Sequence, residues 1–247
     1  MDVKLTCNTP NEDLFGAVAI NSRRDLPWVR SEGAREGHAC LVGGGPSLAD
    51  TLPSLERRIR LGQTVFALNG AAKYLNDHGI VPDHQVILDA RPENAHLIGR
   101  ARNYLLASQV HPNVFDAVPA KHTMLWHHAT EGITSHVPDL DEFYIGGSHS
   151  VGLASMCLVY AMGYRNLHLY GYDSSHRATT GHAYAQQNDG VYEYAFNGKT
   201  FLTTLTMASQ AELFPEIADA LIDAGCIITV DGDGLIREVV AAMKQPC

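Results

Sequence analysis

His38-Ala39-Cys40-Leu41-Val42-Gly43-Gly44-Gly45-Pro46-Ser47-Leu48 decides how this chain folds. The apolar run 39–42 reads as a strand buried on both faces, three glycines break it, and Leu48 opens a stretch with apolar residues at helical spacing. Pro46 falls near the first helical turn, where its missing N–H has no helical partner to lose. Working outward, the alternation recurs. Residues 64–68 and 85–88 are short apolar runs, and between the strands lie helical stretches 48–61 and 71–78, which end near Gly62 and Gly79. That is β-α-β-α-β, and because such crossovers are right-handed the sheet is parallel with helices on both faces. The same reading predicts strands over 104–107, 123–126, 167–170 and 226–230, a nearly uncharged helix over 151–162, and helices over 205–224 and 235–243. The expected fold is an α/β, Rossmann-like three-layer sandwich with a mostly parallel central sheet over residues 38–247. Residues 1–37, with Asn8-Thr9-Pro10-Asn11 and the charged stretch 30–37, read as a loosely structured N-terminal extension. The run 174–199 is polar, rich in Gly and His and without periodicity, so it is expected to be a long loop or lid following a strand end.

A formal charge of -9 with no basic block argues against nucleic acid as a partner, because duplex affinity rests on clustered Lys and Arg; the longest cationic run is Arg57-Arg58 with Arg60 nearby. No apolar stretch reaches the length of a membrane span and no basic-then-apolar leader opens the sequence, so no membrane partner is expected. Five cysteines, at 7, 40, 157, 226 and 247, form no C-x-x-C pair and fit no closed disulfide framework. They read as reduced thiols, and the expected compartment is the cytoplasm. Whether the chain forms a homo-oligomer is left open.

Glycines at 43–45 permit positive φ and close approach of a ligand to backbone, while free N–H groups and the helix dipole at the junction suit an anion. The turn is either a phosphate cradle or a plain strand-to-helix corner. It is not a G-x-G-x-x-G dinucleotide turn, because Leu48 holds the place of the last glycine, and it lacks the Gly-Lys-Ser/Thr of a P-loop. If the turn is a cradle, a nucleotide is its expected ligand, in neither dinucleotide nor P-loop geometry.

Four blocks in order carry a family resemblance: Val42-Gly43-Gly44-Gly45-Pro46-Ser47-Leu48; Gly79-Ile80-Val81-Pro82-Asp83 with Val86-Ile87-Leu88-Asp89; Gly146-Gly147-Ser148 leading to Leu169-Tyr170-Gly171-Tyr172-Asp173; and Gly181-His182-Ala183. From about Leu41 to Ile236 the chain resembles the 6-hydroxymethylpterin diphosphokinase MptE-like proteins, which include motility accessory factor glycosyltransferases. The glycine-Pro-Ser turn and the Gly-x-Asp block are also similar to those of family 42 sialyltransferases, which use a CMP-sugar. The resemblance implies that Gly43, Gly44, Gly45, Pro46 and Ser47 cradle nucleotide phosphates and that Asn69 touches the nucleotide. The sequence departs from the family after the third strand, where Asp89-Ala90-Arg91-Pro92 replaces a more acidic stretch seen in some pterin diphosphokinases.

Three activities follow as expectations. The first is transfer of diphosphate from ATP to a hydroxymethyl-heterocycle, with AMP leaving; it needs Mg²⁺ across the phosphates, and Asp89 and Asp173, at the carboxyl ends of predicted strands, are the expected catalytic and metal-holding carboxylates, with Asp83 third. The second is glycosyl transfer from a CMP-sugar, with metal dispensable. The third is a nucleotide-binding module without catalysis. In both enzymatic readings the partners are a small-molecule nucleotide donor and a hydroxyl acceptor, and His182 is the expected general base, since imidazole titrates near neutrality. Gly147 and Ser148 form either a second anion cradle before the apolar helix or that helix's cap. Arg91 and Lys199 are candidate phosphate partners on charge alone. The other histidines form no H-E-x-x-H and no zinc-like array.

Overall fold

The computed structural model describes residues 9–137, 143–148, 150–178, 180–184 and 190–243. Eight strands form one sheet: β1 (His38–Val42), β2 (Thr64–Leu68), β3 (His84–Ile87), β4 (Asn103–Ala107), β5 (Thr123–His128), β6 (Tyr144–Ile145), β7 (Asn166–Tyr170) and β10 (Ile227–Asp231). Their order across the sheet is β10-β7-β1-β2-β3-β4-β5-β6, and every pair is parallel. The helices are α1 (Asn11–Asn21), α2 (Leu48–Arg60), α3 (Ala71–Asp77), α4 (Pro112–Asp116), α5 (Val151–Ala161), α6 (Leu205–Asp223) and α7 (Leu235–Met243).

Strand β1 explains the layering. Ala39 and Leu41 face one core, shared with α5, α6 and α7, whereas Cys40 and Val42 face the other, shared with α2 and α3. A strand with both faces covered has no polar side to show, which is why it reads as an unbroken apolar run. Helix α5 buries eight of its eleven residues and packs on β1, β2 and β3. The expected three-layer α/β sandwich is therefore the fold, and its sheet is wholly parallel. Among the described residues no helix is long and apolar enough to cross a membrane.

Two segments depart from expectation. Within the N-terminal extension, residues 11–21 form α1, whose Leu14 and Val18 pack against Ile133 and Val137, and Val29 donates to the Leu125 carbonyl beside β5. The stretch expected as one long loop ends in the first strand of an antiparallel hairpin, β8 (Tyr192–Phe196), whose partner β9 (Lys199–Thr203) runs on past it; Tyr194, Phe196 and Phe201 lean on the core.

The chain walks from β1 outward to β6 and then returns to lay β7 on the other side of β1. The strand order reverses between β1 and β7, and open α/β sheets bind ligands in the crevice outside such a switch point.

Candidate active site

At this crevice the carboxyl ends of β1 and β7 are pinched together. A Cβ on Gly171, whose φ is +61°, would lie 2.7 Å from the Gly43 carbonyl oxygen, and a Cβ on Gly43 would lie 2.7 Å from that of Gly171. Only paired glycines allow two backbones this close. Gly43 N–H donates to the Tyr170 carbonyl at 2.7 Å and Gly45 N–H to the Gly171 carbonyl at 2.9 Å, so the turn is sewn to β7.

Asp173 completes the seam. Its carboxylate accepts from the Ser47 N–H at 2.7 Å and from the Ser47 hydroxyl at 2.5 Å, at the start of α2. Burial pushes the Asp173 carboxyl up, the two Ser47 hydrogen bonds pull it down, and the net direction is above the ordinary carboxylate value. The consequence is that the expected phosphate cradle has few donors to spare. Of the N–H groups from Gly43 to Ser47, only that of Gly44 lacks an acceptor among the described residues, and a carboxylate already sits at the head of α2.

Beside the turn opens a small cleft of about 140 Å³. Gly43, Gly44, Gly45, Asn69, Asp173 and His182, six of the expected site residues, border it. Asn69 and Ser174 follow β2 and β7, and both hold left-handed backbone, with φ of 47° and 49°. Such conformations are unusual for residues other than glycine and cluster at ligand sites. The Asn69 Oδ1 and the Ser174 Oγ are buried and have no hydrogen-bond partner among the described residues. Buried polar atoms without partners are uncommon in proteins.

The segment carrying His182 docks on the turn through Ala183, whose N–H donates to the Gly44 carbonyl at 2.9 Å. Tyr184 fills the slots left by two glycines: a Cβ on Gly44 would lie 2.5 Å from its hydroxyl, and one on Gly70 would lie 2.9 Å from its ring. Burial pushes its phenol up to about 12, so it stays protonated at neutral pH. The His182 and Tyr184 rings lie 5.8 Å apart. The far wall is the start of α5, with Val151 and Gly152, and α6, with Met207 and Gln210. Gln210 links these helices by accepting from the Ser150 hydroxyl at 2.8 Å. Reading the sequence alone did not single out Tyr184, Ser174, Gly152 or Gln210; Tyr184 lies just past the block Gly181-His182-Ala183, and the helix residues carried no motif.

Other expected residues lie elsewhere. Asp89 follows β3, three strands from β7; at about 4.8 Å per strand the two aspartates are separated by roughly 14 Å across the sheet, too far to share one ion. Asp89 is held locally by Arg91, whose Nη2 donates to it at 2.6 Å; burial would raise the Asp89 carboxyl, but the hydrogen bonds and charge of Arg91 outweigh it and hold it below the ordinary range. Among the described residues no three His, Cys, Asp or Glu side chains converge on a metal-sized site. The donor set therefore does not fit a magnesium held by Asp89 and Asp173 together. Asp83 is a brace, accepting from the Val65 N–H at 2.9 Å. Lys199 pairs with Glu238 at 2.6 Å. Pro46 and Ser47 lie behind the cleft wall, with Ser47 engaged by Asp173. Gly147, at φ +115°, packs against Ala154, and the Ser148 hydroxyl accepts from the Ser150 N–H at 3.2 Å, so both shape the entry to α5 without bordering the cleft.

The family model of the 6-hydroxymethylpterin diphosphokinase MptE-like proteins matches residues 23–179, which takes in β1 to β7 and ends three residues before His182. Among solved structures, the Maf glycosyltransferase from Magnetospirillum magneticum AMB-1 superposes with a TM-score of 0.70 at 16% identity, covering 92% of this chain and 38% of that one. That likeness is one of fold, and this chain spans well under half of that protein's length. A mammalian sialyltransferase gives a TM-score of 0.41 at 12% identity over 92% of this chain and 87% of that one. Proteins of curated function give no match. With the family model covering more than half of its length, including the glycine turn and the β7 end that build the cleft, this chain belongs to the 6-hydroxymethylpterin diphosphokinase MptE-like family.

Proposed function

We propose that this protein is a nucleotide-dependent transferase that seats an activated donor in the cleft between β1 and β7 and passes part of it to an acceptor hydroxyl. One observation carries the reading: two buried oxygens without partners among the described residues, on Asn69 and Ser174, belong to residues that border the same switch-point cleft as His182. Transferase chemistry is also what the family description names. His182 takes the proton from the acceptor hydroxyl as its oxygen attacks, and Tyr184, a donor at neutral pH, faces the same space.

Glycosyl transfer from a CMP-sugar is the reading the side chains favour, because it asks nothing of Asp89 and Asp173 as joint metal ligands. The acceptor oxygen bonds to the anomeric carbon, the bond from that carbon to the phosphate oxygen breaks, and CMP leaves with the electron pair. Diphosphate transfer from ATP to a hydroxymethyl-heterocycle is the second reading, favoured by the family match. It uses the same His182 for the attacking hydroxyl; its Mg²⁺ would be carried in with the ATP.

A melting panel of ATP, GTP, CTP, CMP and CMP-sialic acid, with and without Mg²⁺, separates the readings. Stabilisation by CMP and its sugar, indifferent to Mg²⁺, supports glycosyl transfer; stabilisation by ATP that needs Mg²⁺, with AMP formed in the presence of a pterin, supports the diphosphokinase. In whichever assay turns over, His182→Ala is expected to lower kcat by about 10² to 10⁴ while leaving donor binding intact. Unchanged turnover removes His182 from the chemistry.

A further inference from the structure

The ligand of such a cleft carries negative charge, and the structure offers two helix starts to receive it. The head of α2 is taken. Its Ser47 N–H and hydroxyl are both given to the Asp173 carboxylate, Gly43 and Gly45 donate to backbone carbonyls, and Asp173 itself would repel an incoming anion.

The head of α5 is not. This helix runs 11 residues, its first intrahelical bond is Ala154 N–H to the Ser150 carbonyl at 3.0 Å, and it has no side-chain cap. The N–H groups of Val151, Gly152 and Leu153 therefore have no acceptor among the described residues, and Val151 and Gly152 border the cleft. A second, independent feature stands at the same cleft. Ser174 is 7% exposed, and its Oγ is buried without a partner among the described residues. The segment bearing it is locked against the first turn of α5, since the Tyr172 hydroxyl donates to the Gly152 carbonyl at 3.1 Å.

We propose that a phosphate of the bound nucleotide is held on the first turn of α5, by the N–H groups of Val151 and Gly152 and the hydroxyl of Ser174, with the glycine turn acting as the opposite wall. This rests on the nucleotide reading above. An aligned helix start with free amides and an added hydroxyl donor is well suited to a phosphate, and such charge-assisted bonds are stronger than neutral ones.

The test is calorimetric titration of CMP, cytidine, ATP, adenosine and inorganic diphosphate into the full chain at low salt, with Val151→Asp and Ser174→Ala as variants. A carboxylate in the first turn of a helix ordinarily favours the helix, so Val151→Asp is expected to keep its melting temperature while competing with the phosphate. In the wild type, the phosphorylated ligand binds at least tenfold tighter than its nucleoside. Val151→Asp is expected to erase that gap, and Ser174→Ala to shrink it several-fold, with nucleoside affinity unchanged in both. A gap that persists in both variants overturns the proposal and returns the phosphate to Gly44. If no nucleotide binds, but diphosphate binds the wild type and not Val151→Asp, the anion site stands and the nucleotide reading falls. If diphosphate does not bind either, both fall.

Discussion

Asp173 shows how one carboxylate at a strand end serves structure before chemistry. It joins the start of α2 to the end of β7 through both donors of Ser47, and it is 3% exposed. Removing it strands a buried N–H and a hydroxyl, so Asp173→Ala is expected to cost about 1–3 kcal/mol in chemical denaturation, more than an exposed aspartate would. Asp173→Asn, which keeps one acceptor oxygen, is expected to recover part of that loss. At this scale the sequence was partly legible. The glycine turn, Asn69, Asp173 and His182 were all singled out and all border one cleft. What could not be read was direction: an aspartate after a strand faces either a ligand or a helix start, and the choice depends on Ser47, 126 residues away. The same holds for Asp89, expected as a metal ligand, which is engaged locally by Arg91.

Among the elements, the strands buried on both faces were read to within two residues, because complete burial leaves an unbroken apolar signature. The short α4 and the six-residue 3₁₀ segment Pro92–Leu97 escaped, being too brief to show a helical period. The β8–β9 hairpin was missed although its signal was present. Tyr192, Tyr194 and Phe196 alternate ahead of Asn197-Gly198, the turn pair most diagnostic of a two-residue hairpin, and the polar run before it masked the pattern. Both turn residues hold positive φ, 49° and 74°. A β-branched side chain at the second position resists that conformation, so Gly198→Val is expected to raise hydrogen exchange across 192–203 while leaving β1 to β7 protected. Equal exchange in variant and wild type would show that contacts with α6, not the turn, hold the hairpin.

For the molecule as a whole, acid is the expected weakness. Burial lowers His84, His127 and His168 to about 4, with the charge of Arg58 and the neighbouring His38 adding to the effect at His168. The folded protein keeps them neutral while an unfolded chain, with ordinary values near 6.5, takes up protons, so stability is full above about 6.5 and falls as pH drops toward 4. Each contributes a slope of up to about 1.4 kcal/mol per pH unit in that window. Asp173, raised by burial, works in the opposite sense, because its folded state binds the proton more readily. Denaturation midpoints at pH 7, 6 and 5 check this, and His84→Gln is expected to flatten the decline; a flat wild-type profile would contradict it.

The late return of β7 to the side of β1 also bears on synthesis. Roughly 120 residues separate the end of β1 from the start of β7. At about 5–20 residues per second, a ribosome leaves one border of β1 bare for roughly 6–25 s. Through that interval Cys40 and Leu41 sit on an open strand border able to pair with a neighbouring nascent chain. Yield in cells should therefore depend on holdase chaperones that shield emerging polypeptides, more than the equilibrium stability of the finished protein would suggest.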